Sequence, residues 1–172
     1  MEGRLNTFSQ EQEVFLDSLF RKIEETYQDR LISLAVYGSY ARGEARLNSD
    51  LDLFIVLRGS NDNRSARRDQ FIAQIENPLE KDRLRLASHG IRIELSPLIL
   101  NQSEADRFLP IYLDMVDSCV VIRDQGDFLK RRLLTIREKM RRWGSRRHEV
   151  AGGWYWEIQP GLKWNETIDY DQ

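Results

Sequence analysis

Two aspartates separated by one residue have the clearest chemistry in this sequence. Asp50 and Asp52 alternate with the apolar side chains of the segment Leu51–Leu57, a period of two that is typical of a β-strand. Their carboxylates therefore share one side of the strand, with Cα atoms roughly 6.6 Å apart. Two carboxylates this close repel unless a divalent cation or a shared proton offsets their charge. Oxygen ligands with no cysteine or histidine nearby favour Mg²⁺ or Mn²⁺ over zinc.

A second segment just upstream has the features of an anion site. Residues 34–37 indicate a short buried strand, which ends at Gly38 and Ser39 because glycine adopts backbone angles closed to other residues. We predict one helical turn over residues 41–45, with its free N–H groups facing a phosphate beside the Ser39 hydroxyl. Arg42 is either a phosphate contact or a structural partner for Glu44. A phosphate cradle next to a metal pair is the layout needed to transfer part of a nucleoside triphosphate.

The whole string from Gly38 to Leu53 resembles a family signature. It reads Gly-Ser-Tyr-Ala-Arg-Gly-Glu-Ala and then Ser-Asp-Leu-Asp-Leu, which is similar to the DNA-polymerase-β-like nucleotidyltransferase superfamily and most of all to its small minimal nucleotidyltransferases. The resemblance implies an α/β nucleotidyltransferase fold with a small mixed sheet flanked by helices. It also implies that two Mg²⁺ ions assist the transfer of a nucleoside monophosphate, AMP from ATP, and that Gly38 and Ser39 hold the triphosphate.

The same resemblance implies a third carboxylate on a later strand. Residues 91–97 alternate in polarity, and Glu94 is the acid in that segment. On a neighbouring strand about 4.8 Å away, it would complete a triad with Asp50 and Asp52. In the family the first two acids hold the metals, and the third helps to bind one metal and activates the acceptor hydroxyl. We carry these roles to Asp50, Asp52 and Glu94.

The acceptor is implied by the resemblance rather than by the residues. Small members of the family resemble antitoxins encoded beside HEPN ribonuclease toxins, which they inactivate by binding and by adding AMP to a tyrosine. We therefore expect a HEPN-type protein partner. Transfer to a small molecule such as an aminoglycoside is an alternative within the enzyme class. The alternatives to an enzyme are a non-catalytic module that masks a partner and an RNA-binding structural protein.

Length and composition limit the other possibilities. The 172 residues suffice for one domain, and 41% apolar with 31% charged residues is typical of a soluble protein. Cys119 is the single cysteine, so no intrachain disulfide forms, and we expect a cytoplasmic protein. No signal peptide or membrane-spanning run is present in the sequence, which argues against a membrane protein.

Four helices are predicted around strands near Ser33, Leu51, Ile91 and Cys119. They begin at a cap on Ser9, near Ser65, at Ser103 and near Asp127. The arginines that precede or open the second helix, Arg64, Arg67 and Arg68, form either a solvated face or a channel for triphosphate. The last helix, over 127–143, is strongly basic, either as an exposed face or as a nucleic-acid contact, the second being less expected because the net charge is −2.

The segment 144–172 differs in composition from the domain that we place at 1–143. It is rich in glycine, and all four tryptophans of the chain lie beyond Met140. Disordered tails are usually poor in aromatic residues, so this arm should bury its rings. It does so on its own domain, across a homodimer or on another protein.

Overall fold

A four-stranded mixed sheet carries the region of the predicted site. The computed structural model describes residues 5–59, 62–163 and 168, and its sheet contains β1 (Leu31–Tyr37), β2 (Leu51–Leu57), β3 (Leu95–Asn101) and β4 (Val120–Asp124). The strand order is β3-β2-β1-β4, with β2 parallel to β3 and β1 antiparallel to both β2 and β4. The predicted α/β fold with a small mixed sheet is confirmed.

Helices cover both faces of this sheet. They are α1 (Gln10–Tyr27), α2 (Gly38–Arg42), α3 (Arg64–Phe71), α4 (Glu80–Ser88), α5 (Gln102–Ala105), α6 (Ile111–Asp117) and α7 (Phe128–Trp143). A π-helical turn (Ile72–Glu76) and a 3-10 turn (Asn77–Leu79) join α3 to α4. The parallel pair β2–β3 requires a long crossover connection, and the segment from α3 to α4 supplies it.

The central strands are apolar on both sides because each side faces its own core. In β2, Leu53 and Ile55 belong to the core beneath α1, α3 and α4, whereas Phe54 and Val56 belong to the core beneath α5, α6 and α7. All four are 0% exposed. This burial on both faces holds β2 in one register, and a one-residue slip would exchange its two faces.

Several boundaries differ from the sequence predictions. The helical turn lies at Gly38–Arg42 instead of 41–45, because Gly43, at φ +73°, ends it. The helix predicted over 103–116 is two helices, α5 and α6, and Pro110 precedes the second. The strand predicted over 91–97 pairs only from Leu95 onward.

The arginines of the segment 64–68 do not form one surface. Arg67 is 1% exposed, and its guanidinium donates to the Ile99 carbonyl at 3.1 Å, the Asp62 carbonyl at 2.8 Å and Glu104 Oε2 at 2.6 Å. Arg64 reaches the same carboxylate at 3.5 Å but is 64% exposed. For Arg67, both the solvated face and the triphosphate channel were wrong, because it ties α3 to β3 and α5 from inside the protein.

The described part of the C-terminal arm is a β-hairpin. Strands β5 (Arg146–Val150) and β6 (Gly153–Glu157) pair antiparallel, and Trp156 and Ile158 pack against the core beneath α6 and α7. These side chains are therefore partly buried on the same chain, one of the three predicted alternatives. Trp164 and Tyr170 lie outside the described residues. Within the described ranges, no helix has the length and apolar character needed to cross a membrane.

Arg64 and Arg67 both contact Glu104, so replacing each in turn compares how much an exposed and a buried arginine contribute to stability. Arg67→Ala should lower the free energy of unfolding by about 3 kcal/mol, because it leaves the buried Ile99 carbonyl and the partly buried Glu104 carboxylate without this donor. Arg64→Ala should change it by less than about 1 kcal/mol, as for other exposed ion pairs. Urea denaturation of both variants measures the difference. Equal losses would show that burial of Arg67 does not determine its contribution.

Candidate active site

The beginning of β2 opens into a cleft that contains most of the predicted site. The cleft has a volume of about 370 Å³, and its lining includes Asp50, Asp52, Gly38, Ser39 and Arg42. These are five of the six predicted residues. The remaining lining residues were not predicted from the sequence: Tyr37, Ser49, Ile111 and Asp114.

Asp52 lies between two neighbouring strands. In the sheet register it pairs with Tyr37 of β1 and Ser96 of β3. Burial raises the pKa of the Asp52 carboxyl, a hydrogen bond with Ser96 lowers it, the charge of Asp50 raises it further and Arg42 lowers it. Burial, together with the Asp52 charge, also raises the pKa of Tyr37 to about 12. The negative charge of Asp52 is thus costly here, and a bound cation would relieve that cost.

Gly38 packs directly against the Asp52 carboxylate. A Cβ atom at this position would lie 2.1 Å from Asp52 Oδ2, which is far inside van der Waals contact. The backbone of Gly38 also has φ +70°, in the left-handed region that favours glycine. From the sequence, we explained Gly38 by the backbone angles that glycine adopts and other residues do not. The structure adds a second reason, because the absent side chain lets the turn approach the carboxylate.

Arg42 has two partners at the edge of the cleft. Its Nε donates to Glu44 Oε2 at 2.7 Å, so the structural pairing considered from the sequence is present. Its guanidinium carbon also lies 4.6 Å from the ring centroid of Trp154 in β6. The ion pair does not remove Arg42 from the cleft, since the side chain lines it. The role of Arg42 as a phosphate contact stays a prediction.

Glu94 is near the cleft but does not line it. Its carbonyl accepts from the Leu51 N–H at 2.8 Å, and the register of Leu51 with Leu95 places Glu94 beside the beginning of β2. Its side chain is exposed and lines an adjoining cavity of about 170 Å³ together with Arg83 and Arg92. The structure therefore brings its backbone, and not its carboxylate, to the aspartates. The catalytic and metal-binding roles of Glu94 stay predictions.

The donor atoms in the cleft fit a hard divalent cation. Asp50 and Asp52 supply carboxylate oxygens, which Mg²⁺ prefers, and the destabilised charge of Asp52 favours a cation there. Across residues 5–59, 62–163 and 168, no three histidine, cysteine or acidic side chains converge as a metal-binding group. Two carboxylates still suit Mg²⁺, which is usually bound through one or two carboxylates plus substrate phosphates and water.

Asp114 is the lining residue that sequence reasoning missed most clearly. It lies on α6 and accepts hydrogen bonds at Oδ1 from the indole N–H groups of Trp154 and Trp156, both at 2.9 Å. These donors are 40 and 42 residues away in the chain, so no local pattern connects them with Asp114. The one related feature of the sequence was the high tryptophan content of the arm, and this content did not identify Asp114 as the hydrogen-bond acceptor.

The sequence of this chain is similar to those of known proteins. The model of the nucleotidyltransferase domain family matches residues 16–108. A protein of Methanocaldococcus jannaschii, provisionally named a protein adenylyltransferase, is 25% identical over 129 residues, which are 74% of this chain and 82% of the relative.

Two further proteins are similar to this chain. A second Methanocaldococcus jannaschii protein with the same provisional name is 38% identical over 55 residues, covering 32% of this chain and 60% of that protein. A crystal structure described as a toxin–antitoxin with AMP-PNP aligns at a TM-score of 0.42 and 15% identity. That alignment covers 76% of this chain and 88% of the solved one.

Gly38→Ala tests the close approach of the turn to Asp52. The new methyl group should displace the Asp52 carboxylate and reduce nucleotidyl transfer by about a hundredfold, the cost expected from a misplacement near 1 Å. Gly59→Ala is the matched control, because Gly59 has a similar φ of +64° but no described atom within 4 Å of the place that its Cβ would occupy. Turnover and thermal unfolding of both variants separate backbone strain from the clash. Similar activity in the two variants would contradict a special role for Gly38.

Proposed function

Because this chain belongs to the nucleotidyltransferase domain family and is thus a nucleotidyltransferase, we propose that it transfers AMP from ATP to a tyrosine hydroxyl of a HEPN-type protein partner. The observation that carries the proposal is the close approach of Gly38 to Asp52. This contact places the turn that we assign to phosphate binding beside the carboxylates that we assign to metal binding. The provisional names of the two Methanocaldococcus relatives support a protein as acceptor. The HEPN partner follows from the resemblance of the signature to minimal nucleotidyltransferases.

The proposed reaction is an in-line displacement at the α-phosphorus of ATP. The tyrosine oxygen forms a bond to this phosphorus, while the bond from the phosphorus to the oxygen bridging the β-phosphate breaks. Pyrophosphate leaves with that bonding electron pair. The phenolic proton passes to a carboxylate, a role that we assign to Glu94. AMP remains attached to the protein through a phosphodiester bond.

The residues of the cleft divide this work between them. Asp50 and Asp52 would hold Mg²⁺, which supplies charge stabilisation to the phosphate oxygens when it is bound. The turn at Gly38 and Ser39 orients the triphosphate beside these carboxylates. Arg42 contributes positive charge at the edge of the same cleft. ATP and Mg²⁺ are both available in the cytoplasm, where we place the protein.

Asp52→Asn should abolish transfer without unfolding the protein. Loss of a metal-holding carboxylate removes several kcal/mol of charge stabilisation, so we expect transfer to fall about a thousandfold. The thermal midpoint of the metal-free variant should equal or exceed that of the wild type, since a half-buried charge beside Asp50 is removed. The assay incubates each protein with Mg²⁺, ATP and its candidate partner or source-cell lysate. Label from α-³²P-ATP is then followed on protein.

Two controls make that assay specific. Asp17→Asn makes the same chemical change at an exposed position of α1 and should leave transfer unchanged. γ-³²P-ATP should label no protein in an Asp52-dependent manner, because the β- and γ-phosphates leave as pyrophosphate. Asp52-dependent label on RNA or on a small molecule would replace the protein acceptor. A folded Asp52→Asn protein with wild-type activity would overturn the assignment of the site.

Glu94→Gln tests the proton acceptor separately. Removal of a general base typically costs about a hundredfold or more in turnover, and it should leave the affinity for ATP unchanged. Glu80→Gln is the matched control, since Glu80 lines the same adjoining cavity as Glu94. Steady-state kinetics with saturating acceptor give kcat, and calorimetry gives the nucleotide affinity. Unchanged kcat would remove Glu94 from the reaction and leave the roles of Asp50 and Asp52 intact.

A further inference from the structure

We propose that Trp154 is a positioning residue that holds Arg42 for the triphosphate, so that the β5–β6 hairpin supports the lining of the nucleotide site from behind. The inference rests on the proposed function, because it concerns how the same cleft binds its nucleotide. It assigns a purpose to the tryptophan-rich arm, which the signature between Gly38 and Leu53 does not include. Three contacts carry it.

The first contact is between Arg42 and the Trp154 ring. The guanidinium carbon lies 4.6 Å from the ring centroid, well within the range of a cation–π interaction. The Arg42 side chain is 20% exposed, so this interaction is partly shielded from water. The ring therefore holds the guanidinium from one side, and the ion pair with Glu44 holds its Nε edge.

The geometry leaves the other edge of the guanidinium for an anion. Arginine has five N–H groups, and Nε uses its single one on Glu44. No residue in the described ranges accepts a hydrogen bond from Nη1 or Nη2 of Arg42. Four donors thus remain on a side chain that lines the cleft with Asp50 and Asp52. A planar pair of such donors is suited to bidentate binding of a phosphate.

The second and third contacts fix the Trp154 ring itself. Its indole N–H donates to Asp114 Oδ1, which also accepts the indole N–H of Trp156, so one carboxylate oxygen anchors two positions of β6. Arg147 of β5 lies 5.6 Å from the centroid of the same ring. Asp114 in turn belongs to α6, where Leu113 and Met115 are buried. Arg42 is therefore connected to the protein core through Trp154 and Asp114.

Trp154 and Trp156 share the hydrogen bond to Asp114 but differ in their other contacts. Both lose the same hydrogen bond to Asp114 when replaced by leucine, but Trp156 packs against the core whereas Trp154 contacts Arg42. The neighbouring Tyr155 is 54% exposed and stacks on His148 at 5.0 Å, away from these contacts. Tyr155→Leu is consequently the control that alters the hairpin without touching Arg42.

The test is a double-mutant cycle on nucleotide affinity. Calorimetry measures the Kd of α,β-methylene-ATP with Mg²⁺, an analogue that cannot release pyrophosphate. Trp154→Leu should weaken binding by about three- to tenfold, the range of a partly shielded cation–π contact. Tyr155→Leu should stay within about twofold of the wild type. In an Arg42→Ala background, Trp154→Leu should cause no further loss, because its effect passes through Arg42.

Other results would overturn the inference. Additive losses in the double variant would mean that Trp154 supports the fold and not Arg42, and losses of equal size in the Tyr155 variant would mean the same. Should Trp154→Leu fail to fold, Trp154→Phe retains a ring over Arg42 and loses only the N–H donor. Its smaller loss of affinity should likewise vanish in the Arg42→Ala background, and persistence of that loss would overturn the proposal.

The outcome for the wild type distinguishes this inference from the proposed function. A wild-type protein that neither binds the analogue nor transfers AMP would overturn both. A wild-type protein that binds and transfers, with a Trp154→Leu variant indistinguishable from Tyr155→Leu, would overturn only the positioning role.

Discussion

Repulsion between two carboxylates at the start of one strand is the constraint on which the rest of the structure depends. Asp50 and Asp52 keep their places because β2 is buried on both faces and its register cannot slip. The contact of Gly38 with Asp52 then fixes the turn at Gly38 and Ser39 relative to these charges. The fold thus maintains a local concentration of negative charge that is unfavourable alone and that a divalent cation would stabilise.

Much of this arrangement could be predicted from local patterns. The period of two in Leu51–Leu57 predicted both the strand and the shared side of the aspartates, and Gly38 and Ser39 predicted the end of β1. Errors arose where a local signal was overlooked or given too little weight. Pro110 indicated the break between α5 and α6, and Gly43 indicated the end of α2.

The remaining features depend on contacts between distant parts of the chain. Arg67 reads as one of several surface arginines, and only the approach of Glu104, 37 residues later, makes it a buried ion pair. Asp114 has no motif of its own and acquires a role through Trp154 and Trp156. The same bonds attach both rings to their own chain, so a homodimer or partner contact through the described hairpin would use Tyr155 rather than the other two aromatic side chains.

The hairpin follows the sheet and α7 in the chain, which has a consequence for protein synthesis. Asp52 and Trp154 are 102 residues apart, and a ribosome adds about 5 to 20 residues per second. For about 5 to 20 s, a nascent chain therefore has both carboxylates but lacks the ring that stacks on Arg42. Under the proposed role of Trp154, the nucleotide site is complete only after β6 has been synthesised, later than the sheet and α7.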